Sequence, residues 1–330
     1  MTIATYPTAR ALPGTLFRHL VMPDDLAAIN EVANAARQAD GDEWVTPLDQ
    51  FRAFYENLSN CDPATDIVVA ERAGRIVGYG RVAWFEDLEG VRIYEPISLV
   101  DPTDDGSLLE SIHTAMEARG SEIAATHPPG PKVFQSEAGE HALRRIELLE
   151  RTGYKPVRYG FVMVRAHLDD LDAPLPDGLE IRDVRPEHLR AIFDAEVEAF
   201  RDHWGMGLPT EADYRQFLSD PVQGDHTLWR VAWDGDQVAG MVRSYINPEE
   251  NERYGRKRGW VENISVRRPW RRRGLARALI AASFPLLRAR GMTEGALGVD
   301  TENPSGALRV YEACGFVAVR REAVYRKPLA

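Results

Sequence analysis

Trp260-Val261-Glu262-Asn263-Ile264-Ser265-Val266-Arg267-Arg268-Pro269-Trp270-Arg271-Arg272-Arg273-Gly274-Leu275-Ala276 begins as a strand and ends as a helix. Val261, Ile264 and Val266 are strand formers, and Pro269 forbids continuation of a ladder. Beyond the glycine, Leu275, Leu279, Ala282 and Leu286 recur at helical spacing, with Pro285 an expected kink and Gly291 a good stop. Strand, basic glycine-bearing loop and helix therefore follow in order. The first turn of a helix carries unpaired N–H groups and a partial positive charge. Gly274 allows close backbone approach, Ala276 keeps the next contact small, and Arg271, Arg272 and Arg273 offer charge-assisted hydrogen bonds. Such a helix start suits a pyrophosphate.

The chain also repeats itself. Phe17-Arg18-His19-Leu20 leading into Pro23–Ile29 is echoed by Ile181-Arg182-Asp183-Val184 leading into Pro186–Ile192. Each reads as a short strand and a helix opening with Pro and acidic residues. Val68–Gly78 is echoed by Arg230–Gly240, a hairpin in both cases, with Arg81 the counterpart of Arg243. Leu149–Tyr154 is echoed by Tyr311–Phe316, a helix ending at glycine before an aromatic strand start. Ile97–Pro102 mirrors Ile264–Pro269, which sets Thr103-Asp104-Asp105-Gly106-Ser107 against Trp270-Arg271-Arg272-Arg273-Gly274. Two copies of one α/β domain are expected, 1–170 and 171–330, divided near the Asp/Pro-rich stretch Leu168–Pro176.

The 330 residues fit two domains, and 44% hydrophobic with 28% charged residues is ordinary for a globular chain. A net charge of −11 disfavours nucleic acid and anionic membrane as partners of the whole molecule. No apolar run approaches the roughly 18 residues a membrane span needs. Cys61 and Cys314 are too few for a disulfide framework and no metal site is expected. Met1–Gly14 lacks the apolar core of a signal peptide and reads as a loosely attached tail; a cytoplasmic location is expected.

The basic loop resembles motif A of the GNAT acyltransferase superfamily, Arg/Gln-x-x-Gly-x-Gly/Ala, with Arg271, Gly274 and Ala276 at its defined positions. The superfamily's later Asn, helical Tyr and Gly-Phe are matched by Asn303, Tyr311 and Gly315-Phe316. The two-copy layout resembles the tandem GNAT proteins, mycothiol synthases among them. The resemblance implies two GNAT folds (α/β, of the α+β kind), each a mixed, mostly antiparallel sheet flanked by helices. It also implies acetyl transfer from acetyl-CoA to a primary amine by direct attack. Glu262 would accept the amine proton, a role contributing roughly 10²–10⁴-fold. Tyr311 would protonate the departing thiolate. Backbone groups of Ile264, Ser265 and Val266 would meet the pantetheine arm and thioester oxygen, the loop from Arg271 through Arg272, Arg273, Gly274 and Leu275 to Ala276 the pyrophosphate, and Asn303 the pantetheine.

Bland readings stand beside these. Glu262 could be a strand-end carboxylate paired with Arg258 or Arg267, Tyr311 a core tyrosine, and Asn303 a helix N-cap. On the acceptor side His203, Trp204 and Tyr214, with Phe217, could line a pocket or form a packed aromatic turn. In the first copy aspartates stand where the second has arginines and Leu149 stands where it has Tyr311, so that copy is expected to lack a working CoA site. The partner expected is a small-molecule amine, for a monomer or homodimer. The alternatives are a non-catalytic acyl-CoA-binding sensor and a nucleic-acid-binding basic run.

Overall fold

In the computed structural model, which describes residues 6, 9–303 and 305–329, the chain forms two compact units. The first comprises residues 1–158 and 322–330, the second residues 159–321. The first unit's sheet takes its last strand from the end of the second half of the chain, and the second unit's takes its last strand from the end of the first half. Half of the stretch read as an N-terminal tail, residues 1–5, 7 and 8, lies outside the described residues. Tyr6 is buried and its N–H donates to Phe17 O (2.9 Å), while Ala9 and Leu12 pack against the first unit's core.

The elements in chain order begin with β1 (Leu16–His19), α1 (Leu26–Ala39), α2 (Leu48–Glu56), β2 (Ile67–Arg72), β3 (Arg75–Glu86) and β4 (Arg92–Val100). They continue with α3 (Ser107–Thr126), β5 (Lys132–Gly139), α4 (Leu143–Arg151) and β6 (Lys155–Arg165). The second half holds β7 (Glu180–Arg182), α5 (Leu189–Phe200), α6 (Glu211–Ser219), β8 (Trp229–Asp234), β9 (Gln237–Tyr245) and α7 (Pro248–Tyr254). It closes with β10 (Arg258–Val266), α8 (Leu275–Ala289), β11 (Glu294–Asp300), α9 (Ala307–Ala313) and β12 (Val317–Pro328).

The first unit's sheet runs β1-β2-β3-β4-β5 and is completed by Glu322–Pro328 of β12, antiparallel to β5. The second runs β11-β10-β9-β8-β7 and is completed by Gly160–Arg165 of β6, antiparallel to β11. In each unit one pair is parallel, β4 with β5 and β10 with β11, and the other registered pairs are antiparallel. The mixed, mostly antiparallel sheet flanked by helices is thus present in both copies. Amphipathic helices cover the faces. Buried Leu26, Ile29 and Ala33 of α1 lie over Val69 and Leu99 in one unit. In the other, Leu275, Leu279, Phe284 and Leu287 of α8 lie over Val242, Val261 and Leu297.

Three local expectations meet a different structure. The buried face of α8 is Leu275, Ala278, Leu279, Ile280, Ser283, Phe284 and Leu287, while Ala282 and Leu286 are only half-buried. The helix also continues through Pro285 to Ala289. The Asp/Pro stretch read as a linker packs on the second unit's core through Leu168, Leu171 and Leu175. Among the described residues no helix is long and apolar enough to cross a membrane.

Candidate active site

The basic loop is built as a cradle. Arg271 is extended (φ −66°, ψ 159°), Arg272 has φ +61° and Gly274, the N-cap of α8, has φ +84°. No protein atom lies within 4 Å of a Cβ built on Gly274, so within the protein itself the glycine serves the left-handed conformation. The first helical hydrogen bond runs from Ala278 N to Gly274 O (3.1 Å). The backbone N–H groups of Arg272 through Arg277 have no acceptor among the described residues. Successive amides with left-handed residues interposed form an anion-binding concavity, and the start of a 15-residue helix adds its partial charge. A pyrophosphate fits this donor set.

The arginines divide their work. Arg271 donates to Val266 O (2.9 Å), Ala199 O (2.9 Å) and Asp202 Oδ2 (2.6 Å), so its fork ties the loop to the end of α5. Arg268 also donates to Asp202 (Nε, 3.1 Å), and the two guanidiniums hold that carboxyl well below its ordinary range. Arg267 pairs with Glu198 and donates to Val238 O, and Arg273 donates to Asp177 O (2.9 Å). Arg272 alone of this run has an exposed side chain with no hydrogen bond or ion pair among the described residues. Asp202 is a residue that sequence reasoning missed. It directly precedes His203 and Trp204, read for their rings, and nothing local distinguishes an arginine clamp from an acidic turn.

The strand before the loop opens. β10 pairs with β11 only over Arg258–Trp260, although both strands run on. Against β9 its register shifts between Glu262 and Ser265, where Asn263 takes φ +49°, a β-bulge. A Cβ on Gly240 would meet Ser265 O at 2.7 Å, so glycine is needed where the bulge presses on β9. Beyond the ladder's end Gly298 N donates not to β10 backbone but to Glu262 Oε1 (2.7 Å). The carboxylate is thus held in the opening between the parallel strands. Of the arginines offered as its bland partners, Arg258 pairs with Glu294 (2.7 Å) and Arg267 with Glu198 (2.7 Å).

Tyr311 lies on α9, 8% exposed, in the core cluster with Leu275 and Val299. Burial, then the Glu262 carboxylate, pushes its phenol well above the usual value. Phenol and carboxylate therefore share one electrostatic neighbourhood, and the phenol hydroxyl has no hydrogen bond among the described residues. Asn303 is not the N-cap of α9, which is Gly306; its Oδ1 accepts from Ser305 N (2.9 Å) in the turn before that helix.

On the acceptor side Tyr214 packs with Phe193 (5.1 Å), beneath the Arg190 guanidinium. His203 stacks edge-on against Phe200 (5.8 Å), and its ring Nδ1 lies 3.3 Å from Trp204 O. The Asp202 clamp holds this turn against the basic loop. More prominent is an arginine that the sequence marked only as a repeat counterpart of Arg81. Arg243 stands directly opposite Glu262 in the β9–β10 register, pairs with Glu196 of α5 (2.7 Å), and lies over the rings of Phe217 (4.8 Å) and Trp229 (5.0 Å). Next along the same face Tyr245 stacks on Trp260 (6.1 Å, 13°). The Trp260 indole donates to buried Glu250 (3.0 Å).

The first unit departs at each of these points. Asp101 N bonds Val77 O as Arg267 N bonds Ala239 O, so Val100 matches Val266 and Gly106 (φ +99°) matches Gly274. The correspondence expected from sequence is one residue out, because the left-handed N-cap glycine sets the frame and the first loop is shorter. The β3–β4 ladder has no register shift, and Ile97 stands opposite Arg81 where Glu262 stands opposite Arg243. Tyr154 N bonds Leu149 O as Phe316 N bonds Tyr311 O, so Leu149 occupies the tyrosine's place.

Residues 189–316 match the Acetyltransferase (GNAT) family. The chain is 27% identical over 312 residues to a mycothiol acetyltransferase of Thermobispora bispora, covering 92% of this chain and 97% of that one. It is 32% identical over 120 residues to an aminoglycoside N(6')-acetyltransferase type 1 of Klebsiella aerogenes, covering 36% of this chain and 78% of the relative. The structure of a GCN5-related N-acetyltransferase from Sphaerobacter thermophilus superimposes with a TM-score of 0.70 at 25% identity, covering 97% of both chains. With the cradle, the opened strand pair and these likenesses in agreement, the chain belongs to the GNAT family of acetyltransferases and is an acetyl-CoA-dependent N-acetyltransferase.

Proposed function

We propose that the second unit transfers an acetyl group from acetyl-CoA to the primary amine of a small molecule, and that the first unit takes no part in the chemistry. The observation that carries this reading is the row of unpaired amides from Arg272 to Arg277, beside the opening that holds Glu262. The amides, with Arg272, Gly274, Leu275 and Ala276, would hold the pyrophosphate, and Arg271 and Arg273 would keep the loop in shape. Backbone groups of Ile264, Ser265 and Val266, released where β10 leaves β11, would align the pantetheine and polarise the thioester carbonyl, with Asn303 at the far side. When bound, acetyl-CoA supplies the acyl thioester.

Glu262 takes the proton that the amine must lose, directly or through water, and passes it to solvent. Tyr311 donates its O–H to the sulfur as negative charge develops there. Its raised pKa keeps it protonated, and the burial that raises it also disfavours a thiolate beside it, as it does for the Cys314 thiol. The phenol therefore offers a hydrogen bond to the thiolate that leaves as the C–S bond breaks, and a proton that it gives up to sulfur is replaced from solvent. A small amine acceptor is in keeping with relatives named for mycothiol and for an aminoglycoside. The test is release of free thiol from acetyl-CoA over a panel of primary amines. Tight CoA binding with no transfer to any amine would support a sensor instead.

A further inference from the structure

We propose that Asp104 is a built-in occupant of the first unit's anion loop, so that the chain takes one acyl-CoA and not two. The inference rests on the reading that the matching loop of the second unit holds pyrophosphate. Both loops lead from a strand to a long helix through a left-handed glycine, Gly106 before α3 and Gly274 before α8. In the second unit the amides of that turn have no acceptor among the described residues. In the first they are filled from within. Asp104 Oδ2 accepts from Gly106 N (2.9 Å), Leu108 N (3.2 Å) and Leu109 N (3.3 Å), and its Oδ1 reaches Leu108 N (3.3 Å). Asp105 Oδ1 accepts from Ser107 N (2.9 Å). Two carboxylates thus do for the first turn of α3 what phosphate oxygens would do for α8.

This occupant is fixed in place. Asp104 is 4% exposed, its own N–H bonds Asp101 O (3.0 Å), and Arg144 donates to its carbonyl oxygen. Arg72, 3.9 Å away, shares its charge. A carboxylate tethered two residues from the amides it serves acts at an effective concentration of about millimolar or higher. An entering diphosphate would have to expel it from a site closed to solvent while facing the Asp105 charge at close range. Arginine has become aspartate here not only to repel a ligand but to replace it.

The experiment is amide hydrogen exchange over residues 103–112 of the full chain, with and without inorganic pyrophosphate, joined to a count of CoA bound per chain by equilibrium dialysis. Wild type should show slow exchange at Gly106, Leu108 and Leu109 that pyrophosphate does not alter, and one CoA per chain. Asp104→Ala should accelerate exchange at these amides at least about tenfold, as expected when a capping acceptor is lost, with pyrophosphate restoring the protection. If that variant fails to fold, Asp104→Asn, which keeps one acceptor oxygen without the charge, should gain the pyrophosphate response. Two CoA per wild-type chain, pyrophosphate-dependent protection of these amides in wild type, or unchanged exchange in Asp104→Ala would each overturn the proposal. Absence of any bound CoA would count against the second unit's loop, and the exchange data would still decide the role of Asp104.

Discussion

Two neighbouring arginines in one loop should fail in opposite ways. Arg271 is tied to Val266 O, Ala199 O and Asp202, and replacing it by alanine strips donors from two backbone carbonyls and a carboxylate. At roughly 1 kcal/mol for each neutral acceptor and more for the charged one, Arg271→Ala should destabilise the second unit by about 2–4 kcal/mol. For a unit of this size that lowers Tm by roughly 5–15 °C. Arg272 has no such ties and sits at φ +61°, where a side chain costs roughly 1 kcal/mol. Arg272→Gly removes that strain but adds a comparable freedom to the unfolded chain, so stability should stay within about 0.5 kcal/mol of wild type.

The same glycine removes the guanidinium that, among the described residues, has no partner in the run. A charge-assisted hydrogen bond is worth about 1.5–3 kcal/mol, so CoA should bind Arg272→Gly roughly tenfold to a hundredfold more weakly. Calorimetric unfolding and isothermal titration with CoA, both at low salt, separate the two effects. An Arg272→Gly variant that binds CoA within about twofold of wild type, or an Arg271→Ala variant that melts with wild type, would show that the division of labour drawn from the hydrogen bonds is wrong. Arg271→Lys should not rescue, since an ammonium cannot span the three acceptors at once.

Glu262→Gln keeps an acceptor for Gly298 N but no base, and kcat/KM should fall roughly 10²–10⁴-fold with CoA affinity unchanged. Tyr311→Phe fills the same apolar site and should lower kcat at least about tenfold with little effect on CoA binding, checked by initial rates and titration. Arg243→Ala leaves Glu196 buried without its cation and should cost about 3–5 kcal/mol near neutral pH. Burial already raises the Glu196 pKa in the folded state, so folding favours its protonated form and its contribution worsens as pH rises. The deficit of Arg243→Ala measured by urea unfolding should therefore shrink as pH is lowered and Glu196 takes up a proton.

Legibility in the sequence followed the range of the physics involved. Pro269, Gly274 and the apolar period of α8 report on their own few neighbours, and the strand-loop-helix they implied is present. The repeat was legible because hairpin glycines and helix-stop glycines are local requirements too. What escaped were contacts made across the fold. The Asp202 clamp joins the end of α5 to the loop, and the Arg243–Glu196 pair joins β9 to α5, with no signal at either end. The frame of the first loop slipped by a residue because the strands' apolar residues match equally well in either frame. The bulge at Asn263 and the N-cap conformation of Gly106 decide it, and both are properties of the backbone. The Asp/Pro stretch misled for a related reason. Its composition is that of a linker, but Leu168, Leu171 and Leu175 give it an apolar face on the second core.

An open row of amides is a liability for a folded unit until something anionic occupies it. Buried N–H groups without acceptors destabilise by about 1–3 kcal/mol each, and water relieves those that it reaches. A copy that binds no phosphate would gain stability by supplying its own acceptor, the part proposed here for Asp104 and Asp105, which accept from the amides before α3. On the proposed reading the second unit cannot do so without closing its site, so its loop depends on the ligand. Acyl-CoA at a hundred times its dissociation constant should stabilise the second unit by about 2.7 kcal/mol. The first unit, already satisfied within, should not respond. Unfolding followed by exchange in peptides from each unit should then show protection by CoA confined to the segments around α8 and β10. Equal protection around α3 would mean that both loops bind, and that the carboxylates of the first are displaced with an ease their hydrogen bonds do not predict.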